Sequence, residues 1–261
     1  MNKKHINLNF KFNSIRIIQE TPLSFTDLYY NEHFDEIQHR IYHTLSFFFI
    51  VTLFTFSNIK ILVKILESPI SNIQFFQLSP GEYFFSTVII SLYTGLLFCT
   101  PFILGQTVFF FGPALRKIEK NLIICLLASS LFLFFLGLIF SYYLLIPAAL
   151  NFFIFYASEV LEPFLSFNEY FSFASTLFFS TALVFQIPIV QVILSVLKVF
   201  DPKIMLEYWR AMILFSTILG AILTPSADPI TQLLLSGALF ILYFLGTTIS
   251  IYLTKDYQYL S

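Results

Sequence analysis

The strongest constraint on this chain is the recurrence of long, uncharged apolar runs. Six follow one another: Ile41 to Ile59, Tyr83 to Phe111, Leu122 to Leu150, Phe171 to Leu197, Ala211 to Leu223 and Pro229 to Leu253. A helix needs about 20 residues to cross a hydrocarbon core about 30 Å thick, and five of the runs reach that length unaided. The fifth in order is shorter; Met205 to Trp209 extends it, with Glu207 at the interface and Arg210 snorkelling toward the headgroups. None of the six alternates like a barrel strand, so helices are the only way to satisfy their backbone in lipid. The expected fold is all-α, a polytopic membrane protein with spans at about 41–62, 84–106, 122–146, 171–197, 207–223 and 230–253. A polar segment, 1–32, precedes the membrane domain of 33–254, and a short tail, 255–261, follows it. Charged residues make up 11% of the chain, against about 25% in a soluble domain, so no second, soluble domain fits beside the spans. The start carries Lys3 and Lys4 but no apolar core of signal-peptide length, so insertion is expected to use the spans themselves.

The distribution of charge sets the expected orientation. With the N-terminus inside, all but two of the 14 Lys and Arg fall on the inner side; Lys60 and Lys64 are the exceptions. The loops left outside carry Glu67, Glu82, Glu159, Glu162, Glu169 and Asp228. Under the positive-inside rule this places both termini on the cytoplasmic or stromal side.

The spans hold almost no ionisable groups. Polarity at depth comes from Gln106, Gln186, Gln191 and scattered Ser, Thr and Tyr. Ion-coupled carriers and intramembrane proteases place carboxylates, His or a Ser with a His inside their helices, and a nucleotide-hydrolysing chain carries a Gly-rich phosphate loop. Neither pattern occurs. The expectation is a non-enzymatic protein without nucleotide, metal or other cofactor. His39 and His43 share a helical face, but zinc needs a third or fourth ligand, and they read as residues at a helix entrance. Cys99 and Cys125 sit in apolar runs with no disulfide framework.

Some polar positions have two readings. Glu36 and Glu119 are ordinary solvated charges, or carboxylates on helix ends suited to taking a guanidinium. Gln186 lies mid-span two residues before Pro188, which removes a backbone donor; it is a packing amide that repairs a kink, or a contact for a partner. In Leu223-Thr224-Pro225-Ser226-Ala227-Asp228-Pro229, Asp228 is placed to cap the last helix.

Several segments, taken in order, resemble the TatC family, the large six-span subunit of the twin-arginine protein translocase. They are His33 to Ile37, Ser79 to Phe84, Pro101 to Gln106, Phe110 to Glu119, Tyr142 to Ala149, Phe185 to Pro188 and Leu223 to Gln232. The resemblance implies a receptor for twin-arginine signal peptides on folded cargo. It would act in a hetero-oligomeric complex with single-span partner subunits of the TatA/TatB type, in a lipid bilayer, without nucleic acid, and draw on the proton-motive force. It assigns signal-peptide binding to Glu36, Arg40, Phe110, Pro113 and Glu119. Partner-contact or structural roles fall to Gln186, Pro188, Pro225, Asp228 and Gln232. Two positions depart from many bacterial members: Gln38 stands for a basic residue and Gln186 for a Glu, and a Gln cannot titrate. Phe-Gln-Ile-Pro with Ser-Ala-Asp-Pro looks like the cyanobacterial and plastid branch. The expected location is therefore the thylakoid membrane, with a bacterial plasma membrane or mitochondrial inner membrane as the alternative. A small-solute transporter and a structural scaffold are the competing functions; the first would show internal repeats and polar groups converging at the midplane.

Overall fold

The computed structural model describes residues 25–68, 75–111, 120–157, 165–225 and 228–258. The chain divides into two compact units, Met1–Gln38 and His39–Ser261. The described part of the first is the opening of helix α1 (Phe25–Ser57). Everything below lies in the second unless stated.

Helix α1 ends at Asn58, whose backbone N–H and side-chain Nδ2 both donate to Phe54 O, at 3.2 and 3.0 Å. An Asn amide that competes for carbonyls in this way closes a helix. A second helix, α2 (Ile59–Glu67), begins at once, so residues 59–62 leave the expected first span. Helix α3 (Glu82–Phe111) opens on a Ser79-x-x-Glu82 capping box, with Glu82 Oε2 accepting from the Ser79 and Leu78 N–H groups. It continues through Pro101 because the Thr100 hydroxyl takes up the carbonyl of Leu97 that a proline cannot serve, at 2.8 Å.

Helix α4 (Lys120–Phe140), a π-helical segment (Ser141–Leu145) and α5 (Ile146–Ala157) form one run. The Ile146 N–H reaches back to Ser141 O, widening the helix just before Pro147, and a widened turn accommodates the proline without stopping the chain. The 36 residues from Asn121 to Tyr156 span about 54 Å, well beyond the hydrocarbon thickness and past the expected end near residue 146. The expected fourth span is two helices, α6 (Phe167–Val184) and α7 (Ile187–Val196), broken at Phe185 and Gln186 ahead of Pro188. A short α8 (Pro202–Glu207), capped by Asp201, leads into α9 (Trp209–Leu223); α10 (Pro229–Gln258) completes the described chain.

Among the described residues, five helical stretches are long and apolar enough to cross a membrane: Phe34–Ser57, Glu82–Phe110, Asn121–Tyr156, Phe167–Val196 and Pro229–Leu253. Trp209–Leu223 is a shorter sixth. The protein is thus an all-α polytopic membrane protein, as its hydropathy implies. The α6–α7 pair is the most buried of these stretches and the Phe34–Ser57 stretch the least. Among the described residues four apolar clusters sit around α6–α7, the smallest of them Leu97, Phe134 and Ala182. One joins Leu66 of α2, Ile90 of α3 and Phe171 and Leu177 of α6. A second joins Val108, Leu126 and Val192, and a third joins Leu145, Phe185, Leu235 and Leu239.

Two-residue strands, β1 (Phe75–Phe76) and β2 (Leu165–Ser166), pair in parallel, Phe75 with Leu165 and Phe76 with Ser166. With α2 they cap one end of the bundle. Glu82 pins this cap: its Oε1 accepts from Ser166 Oγ at 2.7 Å and from the Asn168 N–H at 3.2 Å. The Tyr170 hydroxyl adds a donation to Leu66 O at 2.6 Å.

Candidate functional site

At the end of the bundle away from the cap, α1 at Arg40, within the second unit, meets the end of α3. Arg40 donates from Nη1 to the Gln106 side-chain Oε1 at 3.0 Å and to the Gln106 carbonyl at 3.3 Å. Its guanidinium carbon lies 5.9 Å from the centroid of the Phe110 ring, within cation–π range. The structure therefore joins two of the expected binding residues, Arg40 and Phe110, and adds Gln106 as the group that holds the arginine. Gln106 registers in the sequence as polarity at depth, but nothing in its own segment points to a partner 66 positions earlier.

Glu36 is half-buried on α1, in the first unit. Pro113 and Glu119 lie outside the described residues. Two turns along α1 from Arg40, an apolar cavity of about 350 Å³ is lined by Phe47, Phe98, Phe102, Gln106, Leu131 and Phe134, among others. The Phe47 and Phe102 rings stack across α1 and α3, 4.4 Å between centroids.

The expected partner-contact or structural residues divide by exposure. Gln186 is buried and exchanges two hydrogen bonds with Ser130 of α4: its Oε1 accepts from Ser130 Oγ at 2.8 Å, and its Nε2 donates to Ser130 O at 3.2 Å. It is a packing amide at the α6–α7 break. Pro188 is buried against α10, and Asp228, 1% exposed, caps that helix by accepting from the Thr231 N–H at 2.9 Å. Gln232 is half-buried and donates to Thr217 O of α9 at 3.4 Å; Pro225 is exposed. Only the last two offer surface to another chain as folded here. His39 and His43 are exposed, and among the described residues no group of three or more His, Cys, Asp or Glu is placed to hold a metal ion.

The described polar groups repair helix breaks, pin a cap and tie α1 to α3 within a polytopic helical membrane protein. Comparison with known proteins names the kind. Residues 32–237 match the family model for the Sec-independent protein translocase protein (TatC). An uncharacterized tatC-like protein of Trieres chinensis is 55% identical over 230 residues, covering 88% of this chain and 87% of that protein. The Sec-independent protein translocase protein TatC of Synechocystis is 46% identical over 82% of this chain and 85% of its own length. The chloroplastic protein of that name from rice is 41% identical over 82% of this chain and 60% of its own length. A crystal structure of the twin arginine translocase receptor TatC superposes with a TM-score of 0.73 at 31% identity, covering 85% of this chain and 99% of that one. The chain belongs to the TatC family, the membrane subunits of the Sec-independent twin-arginine translocase, which are transport components and not enzymes.

Proposed function

We propose that this chain is the receptor subunit that binds twin-arginine signal peptides at its inner face. With single-span partner subunits of the TatA/TatB type it then moves folded proteins across the thylakoid membrane on the proton-motive force. Both termini face the stroma in this reading, as the charge bias implies. Glu36 and Glu119 take the two guanidinium groups of the signal, and Pro113 shapes the loop between them. Partner helices meet the bundle near Pro225 and Gln232. The relatives named for cyanobacterial and chloroplastic translocases support the location.

The observation that carries the reading is the Arg40 clasp. The Arg40 guanidinium is turned onto Gln106 and the Phe110 ring, neutral groups that fix its position without removing its charge. Arg40 is therefore a positioning residue that ties α1, from His39 onward, to the end of α3, and in this reading the carboxylates are the ligands of the signal. Bidentate carboxylate–guanidinium pairs suit two consecutive arginines better than any neutral group would.

The test is photocrosslinking of a twin-arginine signal peptide to the full chain in membranes. Glu36→Ala and Glu119→Ala are each expected to reduce the crosslink by tenfold or more, on the order of the 1.5–3 kcal/mol of a charged hydrogen bond. Undiminished crosslinking in both variants would overturn the site; no crosslink to the wild-type chain would overturn the receptor role.

A further inference from the structure

Helix α2 presents two different faces. Ile59, Leu62, Val63 and Leu66 pack into the cluster around Ile90 and Phe171, and Tyr170 fastens Leu66 by its carbonyl. The opposite face is open. It carries Ile61 and Ile65, 63% and 55% exposed, and alongside them the exposed Lys60 and Lys64. Each pair is spaced four residues apart, so both stack on the helix surface one turn from the other.

We propose that α2 is an interfacial helix on which Lys60 and Lys64 together hold the anionic headgroup of a lipid in the leaflet at the C-terminal end of α1, with Ile61 and Ile65 seated against its acyl chains. The inference rests on the chain being a membrane protein and not on its cargo. Three observations carry it. The helix follows a membrane-spanning stretch, Phe34–Ser57, after the single residue Asn58, so its open face begins at the depth where a span leaves the hydrocarbon. Two exposed isoleucines in that position fit acyl chains and not water. Among the described residues no ion pair engages Lys60 or Lys64, although Glu67 follows Lys64 by one turn of the same helix.

The charge inventory points the same way. In the orientation expected from the charge bias, these are the two cations of the 14 that fall on the side otherwise free of Lys and Arg. Basic residues are disfavoured there during insertion, so a pair aligned on one helix face calls for a local anion. A headgroup phosphate or sulfonate between two ammonium groups supplies it, while the four-carbon stems of the lysines lie along apolar surface.

The experiment places the full chain in nanodiscs of phosphatidylcholine with a minor fraction of phosphatidylglycerol and counts retained phosphatidylglycerol by native mass spectrometry. Each lysine near an anionic surface contributes a factor of about five, so Lys60→Gln with Lys64→Gln is expected to weaken retention about twenty-five-fold. Lys60→Arg with Lys64→Arg is expected to keep it, and Lys198→Gln with Lys203→Gln to leave it unchanged. Equal retention by the Gln pair and the wild type overturns the proposal. So does displacement of the lipid by millimolar inorganic phosphate, which would make the site one for a free anion. Both lysines are exposed, and a matching thermal melt for the Gln pair confirms that a loss of lipid is not a loss of fold.

Discussion

Two residues sit where the backbone or the packing tolerates little choice. Lys198 ends α7 in the left-handed region, φ 57°, in a Schellman-type close: its N–H donates to Ser195 O and that of Val199 to Leu194 O, both at 3.0 Å. A side chain there crowds the following carbonyl, a cost that glycine avoids. Lys198→Gly is therefore expected to stabilise the protein by up to about 1 kcal/mol, the roughly 1–2 kcal/mol of left-handed crowding less the roughly 0.5–1 kcal/mol of glycine's extra chain entropy, read as a higher melting temperature in detergent; a lower one would show that the lysine contributes more through the negative end of α7 than the strain removes. Gly246 is the opposite case. A β-carbon at 246 would stand 2.8 Å from Pro188 Cα and collide with Gln191 Oε1, and a backbone atom cannot step aside. Gly246→Ala should destabilise by about 1–3 kcal/mol through overpacking, whereas Gly237→Ala, with open space at its position, should be neutral or better in the same melt. Neither demand is legible in the sequence, because each depends on what faces the residue and not on its neighbours along the chain.

Among the elements, legibility followed the physical cause. Hydrophobic runs located the helices because lipid forces helicity on any long apolar segment. The break between α6 and α7 was readable from Pro188, and the cap of α10 from Asp228 and Pro229. The end of α1 at Asn58 was not, since that residue stops the helix only by hydrogen bonds its neighbours permit, and the β1–β2 pairing is two residues long and set by contacts 90 positions apart. Glu82 shows how one motif can carry two duties. Ser79-x-x-Glu82 reads as a capping box, and the same carboxylate also gathers Ser166 at the end of β2 and Asn168 in the first turn of α6. Glu82→Gln replaces one acceptor oxygen by an amide NH2 that faces other donors, N–H groups or the Ser166 hydroxyl, so the cap should loosen. The expected outcome is a lower melting temperature and faster hydrogen exchange at β2 and the first turn of α6, with Glu67→Gln as an exposed control; equal behaviour of the two variants would show that the cap holds without Glu82.

On the scale of the whole molecule, the candidate recognition surface hangs on the Phe34–Ser57 stretch, the least buried of the five long ones. From His39 onward α1 meets α3 at three levels: Arg40 on Gln106, the Phe47 ring on Phe102, and Phe48 with Thr52 on Gly95. The core of the molecule lies elsewhere, around α6–α7 and α10, so α1 can be loosened without dismantling the bundle. Gly95 gives a way to do so. A β-carbon there would stand 3.0 Å from the Phe48 ring and collide with the Thr52 hydroxyl, and a larger side chain would push α1 away from α3 over its middle turns. Gly95→Val is therefore expected to raise hydrogen exchange in α1, leave α6, α7 and α10 protected, and reduce signal-peptide crosslinking although residue 95 is about 16 Å along α3 from Gln106. Gln106→Ala should act the same way from the other end, by removing the Oε1 acceptor and leaving Arg40 the weaker hold of the residue 106 carbonyl and the Phe110 ring. If Gly95→Val raised exchange in α1 while crosslinking stayed at the wild-type level, recognition would not depend on how α1 is held, and the Arg40 clasp would be a packing feature with no part in binding the signal.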